Sequence, residues 1–417
     1  FVKDGVIGDK VTVKVMKANK NFGFARLMEI KEPSKDRVSP RCSVARQCGG
    51  CQIQCINYKE QLRFKKNKVY NNLVRIGGQS DFVMNDVMGM DKEGNIISGF
   101  YAGRTHSIIN IDSCDLGLKI DGRDVNKEVM DTVKAFMTKY RIAPYNEVTH
   151  KGLVRHVLIR IGAKTKQIMV CVIINGKNLP NKEKLVEELC KLEGMYSISL
   201  NINTKKSNVI LGDKVINLYG PGYIEDYIGD VKFRISPLSF FQVNPVQTEK
   251  LYNKALEYAD LTGNEMVWDL YCGIGSISLF LAKKAKQVLG VEIVPAAIAD
   301  AKINAKINNI DNAEFFVGAA EDVVTEYFDN HAGDAECKPD VIVVDPPRKG
   351  CDEKLLSTIV KMNPNRVVYV SCDSATLARD VKWLGENGYK LIEVTPCDMF
   401  GQTTHVECVV ALHRVDM

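Results

Sequence analysis

Hydrophobic positions alternate with polar ones from Val11 to Val15 and again from Gly23 to Leu27, with a Lys/Asn-rich turn between them. That period of two predicts short paired strands, the remains of a small β-barrel. The period then lengthens. Tyr58, Leu62, Val69, Leu73 and Ile76 fall on one stripe of a helix that Gly77 and Gly78 stop, with Arg63, Lys65, Lys66 and Lys68 largely off it. Leu153 to Ile161 and Ile168 to Ile174 predict a hairpin around Gly162-Ala163-Lys164-Thr165. Lys182 to Leu192 predicts a helix and Tyr196 to Ile202 a strand. After a helix carrying Val246, Leu251, Ala255, Leu256 and Ala259, the pattern turns βαβ: strand Met266 to Leu270, a glycine turn, a helix through Ser278 to Lys286, and strand Val288 to Glu292. Apolar β-branched runs at Val341 to Val344 and Val367 to Val370 extend the sheet. Thr404 to Leu412 returns after Phe400-Gly401-Gln402, so an antiparallel strand at the sheet edge is expected.

Three of these runs carry a polar group where a strand meets the loop edge: Asp345 in Asp345-Pro346-Pro347-Arg348, Cys372 after Val367 to Ser371, and Glu407 in His405-Val406-Glu407-Cys408. In open α/β sheets that edge is where ligands bind, so an acid, a thiol and a second acid are predicted to share one cleft. In Tyr271-Cys272-Gly273-Ile274-Gly275, the pair Gly273 and Gly275 lets the chain turn tightly against a ligand. Glu292, about 20 residues on, is suited to accept both ribose hydroxyls. The third glycine of a dinucleotide fingerprint is replaced by Ser278. A nucleoside without a pyrophosphate is therefore favoured, and S-adenosylmethionine fits better than NAD.

Cys372 points to the target atom. An exocyclic amine has its own lone pair for a methyl group, whereas C5 of uracil is a poor nucleophile until a thiolate adds to C6. A base must then remove the C5 proton. The helix expected from Ser374 to Asp380 would offer its N-terminus to the thiolate. Alternation puts His405 and Glu407 on one face, and either suits the base; a partly buried Glu with a raised pKa fits the task.

Length and charge bound the rest. A chain of 417 residues with 45% hydrophobic content holds two or three cored domains. Net charge is +5, yet residues 1–75 hold 17 Lys and Arg against 6 Asp and Glu. A basic front end on an acidic body suggests a module that meets phosphates, with a solvated charged face as the alternative. No apolar run approaches a membrane span and no signal segment opens the chain, so a soluble cytoplasmic protein without a membrane partner is expected. The chain begins at Phe1, inside a strand-like pattern, and a trimmed start is expected. Thirteen cysteines argue for thiol or metal chemistry over a disulfide framework. Cys42, Cys48, Cys51 and Cys55 surround Gly49-Gly50, and Cys114 lies downstream. Zinc on the first four and an iron–sulfur cluster closed by Cys114 both remain open, because soft thiolates favour either. Between Lys119 and Val231 no catalytic constellation is evident.

Phe241-Gln242-Val243-Asn244, Asp269-Leu270-Tyr271-Cys272-Gly273-Ile274-Gly275, Asp345-Pro346-Pro347-Arg348-Lys349-Gly350, Ser371-Cys372 and His405-Val406-Glu407 together resemble the motif series of the RNA (uracil-5-)-methyltransferases. Cys42, Cys48, Cys51 and Cys114 resemble the iron–sulfur branch acting on 23S ribosomal RNA, and residues 1–41 resemble a truncated TRAM RNA-binding domain. The resemblance implies a multi-domain chain: a TRAM/OB-type partial β-barrel (1–41), an α+β central iron–sulfur domain (42–235) and an α/β Rossmann-like methyltransferase domain (236–417). It implies Cys372 as nucleophile and Glu407 as base, with Gln242, Tyr271, Gly273, Gly275, Glu292 and Asp345 at S-adenosylmethionine. A [4Fe-4S] cluster would sit on Cys42, Cys48, Cys51 and Cys114, leaving Cys55 outside. Rival readings are the same chemistry on the T-loop of transfer RNA and a noncatalytic RNA-binding assembly factor. Between Met90 and Asp91 the family carries a segment with Tyr-Arg-Asn-Lys that is missing here. Omission is the expected case; a true loss would change RNA affinity more than chemistry.

Overall fold

The computed structural model describes residues 1–88, 100–101, 108–109, 119–147, 149–331 and 338–415; Cys114 and the junction between Met90 and Asp91 lie outside them. Strands β1 (Val2–Lys3), β2 (Lys10–Ala18) and β3 (Gly23–Glu32) form a sheet in the order β1-β3-β2. Register shifts along the antiparallel β2–β3 pair mark bulges that increase its twist. Helix α1 (Tyr58–Arg75) starts at Asn57, whose side chain accepts from the Glu60 amide and satisfies one orphan donor of the first turn. Its buried line is Gln61, Lys65, Val69 and Leu73, which corrects the apolar stripe. Ile76 is 45% exposed and Lys65 is fully buried, because Lys65 meets a carboxylate that lies 333 residues away in the chain.

Strand β4 (Val83–Met84) follows. Two short antiparallel pairs come next, β5 (Phe100–Tyr101) with β6 (Ile108–Ile109) and β7 (Lys119–Ile120) with β8 (Arg123–Asp124), then α2 (Val125–Lys139). The expected hairpin is β9 (Val154–Ile161) with β10 (Ile168–Ile174). With α3 (Lys182–Leu189), β11 (Met195–Ile202) and β12 (Lys214–Tyr219) it gives a four-stranded sheet, order β12-β11-β10-β9. Val129 and Val133 of α2 and Leu185 and Leu189 of α3 pack on Val170, Val172, Ile198 and Leu200 of that sheet.

The hairpin β13 (Ile224–Ile228) and β14 (Val231–Ile235) leads to α4 (Pro245–Ala259) and an alternating series: β15 (Met266–Leu270), α5 (Ser276–Ala282), β16 (Gln287–Glu292), α6 (Pro295–Ile307), β17 (Ala313–Val317), α7 (Ala320–Asn330), β18 (Val341–Val344), α8 (Glu353–Met362), β19 (Arg366–Ser371), α9 (Ser374–Glu386), β20 (Tyr389–Cys397) and β21 (Glu407–Arg414). These strands and β4 build an eight-stranded sheet, order β17-β16-β15-β18-β19-β21-β20-β4. Strands β15 to β19 run parallel, and one core fills each face. Leu251, Leu279 and Ile298 cover Val267, Val343 and Val368. Val69, Leu73, Val324, Leu355 and Leu377 cover Trp268, Ile342 and Val367. Helix α1 and strand β4 thus pack with this sheet, although they lie far upstream of the other elements in it. Strand β21 is antiparallel as expected, but it sits between β19 and β20, not at the edge. Its residues Glu407 to Leu412 are all buried, which an edge position would not achieve; β4 takes the edge beside β20. Among the described residues no helix is long and apolar enough to cross a membrane.

Candidate active site

Strand register determines which groups meet. Leu270 is level with Val344 on one side and Val291 on the other, and Val344 is level with Tyr369. Tyr271, Glu292, Asp345 and Cys372 therefore all leave the same edge of the parallel strands. On the remaining flank β21 runs the other way and enters where β19 leaves. Ser371 pairs with Cys408, so one step further along the ladder Cys372 faces Glu407. The acid, thiol and second acid predicted to converge do so, and the charges of Glu407 and Asp345 both act on Cys372.

Burial governs their protonation. Glu407 is 4% exposed; desolvation first, then the Asp345 charge, push its carboxyl up to about 8, against the pull of Arg348. Burial raises Asp345 to about 6. The Cys372 thiol rises to about 11, through burial first and then through Glu407 and Asp345, again with Arg348 opposing. Several negative charges cannot crowd into one poorly solvated cleft. At neutral pH the resting site therefore keeps protons on Glu407 and Cys372.

Two sequence expectations are corrected here. The first-turn amides of α9, expected to hold the thiolate, are taken by Asp373: its Oδ1 accepts from Ala375 and Thr376 at 2.9 and 3.3 Å. His405 does not share a strand face with Glu407, because β21 begins at Glu407. His405 lies in the preceding loop, its amide donating to Thr403 Oγ1 at 3.1 Å. Burial, then Arg348, Lys68 and Lys65, lower its imidazole pKa.

The donor side is built on the turn after β15. Tyr271 adopts φ +72, and the amides of Tyr271 and Cys272 both donate to Val291 O at 3.0 Å, folding the turn over β16. Gly273, at φ +56, has nothing within 4 Å of where a Cβ would stand, leaving a cradle open above the turn. At Gly275, φ +79, a Cβ would come 3.1 Å from the Phe315 ring, so glycine is required by conformation and by contact. Glu292 closes β16 with Oε1 accepting from Val294 N at 2.9 Å. Gln242 is 8% exposed, in the loop before α4. Asp269, fully buried, accepts from Ser278 Oγ, which explains the serine at the third glycine position. Its Oδ1 has no partner, and burial raises its carboxyl to about 7. The open space at Gly273, with Glu292 and Asp345 at the neighbouring strand ends, fits a nucleoside bearing a positive sulfonium and ammonium.

Sequence reasoning missed three contributors. Ser278 was read only as a missing glycine. Arg348 follows the Asp-Pro-Pro signal directly, so that motif was its clue. Tyr252 had none: buried in α4, it donates to Ser276 Oγ at 3.0 Å beneath the carboxylates, and Asp345, Asp269 and Glu407 all act on it.

Cys42, Cys48, Cys51 and Cys55 are partly exposed and outside any disulfide, and Gly50 N donates to Cys48 Sγ at 3.3 Å. Among the described residues no group of three or more His, Cys, Asp or Glu is placed to hold a metal. The compact zinc set is thus not assembled. Cys42, Cys48 and Cys51 do not gather as three ligands of a [4Fe-4S] cluster, and Cys114 lies outside the described residues.

The family model for tRNA (Uracil-5-)-methyltransferase matches residues 161–415. An uncharacterized RNA methyltransferase of Bacillus cereus is 50% identical over 432 residues, covering 100% of this chain and 92% of that relative. One from Clostridium tetani is 47% identical, covering 99% and 91%. The structure of Pyrococcus abyssi tRNA (uracil-54, C5)-methyltransferase with S-adenosyl-L-homocysteine matches with TM-score 0.77 at 30% identity, covering 99% of this chain and 95% of that one. With its strand-edge cleft and donor cradle, the chain is an S-adenosylmethionine-dependent RNA methyltransferase and belongs to the tRNA (uracil-5-)-methyltransferase family.

Proposed function

We propose that the chain methylates C5 of a uridine in 23S ribosomal RNA, with Cys372 as nucleophile and Glu407 as base. The observation that carries the chemistry is the ladder that sets Cys372 across from Glu407 beside Asp345. A target in a loop is expected, because extruding a base from a stable duplex costs a few kcal/mol. The donor, when bound, supplies an electrophilic methyl group and positive charge. Gln242, Tyr271, Gly273, Gly275, Glu292 and Asp345 would hold it.

Once the uridine is seated beside the bound donor, Cys372 and Glu407 release their protons to solvent, which added positive charge near Asp345 favours. Cys372 Sγ adds its electron pair to C6, and the C5=C6 pair moves onto C5 and O4. The electron pair on the activated C5 bonds to the methyl carbon as that carbon's bond to the donor sulfur breaks, its pair staying on sulfur, so the donor would leave as the neutral thioether S-adenosylhomocysteine. Glu407, as carboxylate, removes the C5 proton; the C5=C6 bond re-forms, the C6–S bond breaks and Cys372 leaves as thiolate. Glu407→Gln should therefore accumulate a denaturation-resistant protein–RNA adduct. An active variant that forms no adduct would reassign the base.

The choice of ribosomal RNA rests on the likeness of Cys42, Cys48, Cys51 and Cys114 to that branch. The T-loop of transfer RNA is the second reading, favoured by the likeness to the P. abyssi enzyme. Mapping 5-methyluridine in both RNAs from cells lacking the protein separates them: loss from 23S RNA supports the first, loss from transfer RNA the second. Donor binding without turnover on any RNA would leave a noncatalytic assembly factor. Iron and sulfide in near-equal amounts after anaerobic purification would bring back the four-cysteine cluster.

A further inference from the structure

The loop between β20 and β21, residues 398–406, leads straight into Glu407, and α1 grips it along its length. Lys65 and Asp398 form an ion pair with both side chains fully buried, and Lys65 Nζ also donates to Phe400 O at 3.0 Å. Tyr58 OH donates to Asp398 Oδ2 at 2.7 Å. Gln61 Nε2 donates to Gln402 Oε1 at 2.8 Å, and Lys68 Nζ to Thr404 O at 3.1 Å. Steps of three and four residues put Tyr58, Gln61, Lys65 and Lys68 on one face of the helix.

The cysteine-bearing loop before α1 grips the same segment. The amides of Gln52 and Ile53 donate to Gln402 O at 3.0 and 3.2 Å, and Gln52 Oε1 accepts from Thr404 N at 3.1 Å. From α4 and its N-cap, Gln247 Nε2 reaches Asp398 O and Asn244 Nδ2 reaches Met399 O, each at 3.3 Å. Gln402 sits at φ +64, a left-handed conformation that costs a non-glycine residue about 1 kcal/mol or more and persists because these bonds over-determine it.

Stability alone does not account for the arrangement, since a buried ion pair is often no more stabilising than apolar residues of equal volume. It does impose one path on the loop. We propose that Lys65, Asp398 and Gln52 are positioning residues that aim Glu407 at the C5 proton, so that α1 and the cysteine loop govern the last chemical step. This rests on the reading in which Glu407 is the base.

The test compares Gln52→Ala, whose side chain lies at the surface, and the double variant Lys65→Met/Asp398→Asn with the parent and with Glu407→Gln, on unmodified RNA that the parent methylates. Turnover in the double variant should fall about tenfold or more, as misplacement by a fraction of an ångström would cause, and in Gln52→Ala by a smaller factor. Both should accumulate the denaturation-resistant adduct, and RNA deuterated at uridine C5 should slow them more than it slows the parent. Donor affinity should stay within about twofold, because none of these residues lines the cradle. Parental turnover, or reduced turnover with no adduct and no added isotope effect, overturns the proposal. If the double variant fails to fold, Gln52→Ala decides. If Glu407→Gln itself turns over without adduct, the base assignment fails instead, and that outcome is read independently.

Discussion

Arg348 is an exposed residue that acts on buried chemistry: its charge opposes the rise of both Glu407 and Cys372. Removing it in Arg348→Met should shift the pH dependence of adduct release to higher pH. With Glu407 as the proposed base, release should need its ionised form, so the rate should climb through that group's midpoint and then level; single-turnover rates across pH 6 to 10 check this. Glu407 also makes stability depend on pH. Its folded value, about 8, lies above the ordinary 4.5, so its contribution is complete below about pH 4.5 and is lost as pH rises through 8. Glu407→Gln should therefore match the parent near pH 5 and exceed it at pH 8 by on the order of 1–3 kcal/mol in denaturant melts. Cys372→Ala should lower methyl transfer on the order of 10⁴-fold or more with donor affinity retained; residual turnover near the parent's would remove the covalent route.

Among the elements, α1 shows where reading the chain ran short. Apolar spacing located the helix and its glycine stop, yet it left Lys65 off the buried stripe, since no local feature announces a partner at Asp398. Burial of that lysine is a tertiary fact, created when the C-terminal loop folds over the helix. The alternation argument failed at His405 for a related reason: the strand starts two residues later, after a turn in which Thr403 Oγ1 takes the His405 amide. Asp345, Cys372 and Glu407 were legible because apolar runs end abruptly at polar residues. At the far end of α1, a Cβ on Gly77 would lie 2.5 Å from Leu73 O and 3.0 Å from Ala378 O. Both atoms are backbone and cannot swing aside. Gly77→Ala should push α1 away from α9 and cost about 1–3 kcal/mol in thermal or denaturant unfolding.

For the whole molecule, the parallel direction of the strands from β15 to β19 follows from the βαβ pattern, whereas the insertion of β21 between β19 and β20 does not. Pairing across the sheet is set by which surfaces need covering, and only the assembled sheet shows that β4 is available for the edge. That insertion makes the site: a strand entering from the opposite direction delivers an acid where a parallel neighbour would deliver only its C-terminal loop. The N-terminal sheet of β1, β2 and β3 supplies none of the cleft residues named above. Its β2 lysines Lys14 and Lys17 are exposed. Reversing both to Glu should weaken RNA binding, reduce the slope of log affinity against log salt by about 1–2, and leave donor affinity unchanged, as salt titrations would show.

Asp373 has a further meaning beyond capping α9. An enzyme that stores a methylating agent next to a cysteine risks alkylating itself. With the Ala375 and Thr376 amides taken by Asp373, they are not available to a sulfur anion, and Cys372 is expected to stay a poor target until a pyrimidine arrives. Slow reaction of Cys372 with iodoacetamide at neutral pH, quickened when Asp373 is replaced by Ala, is the signature of that restraint.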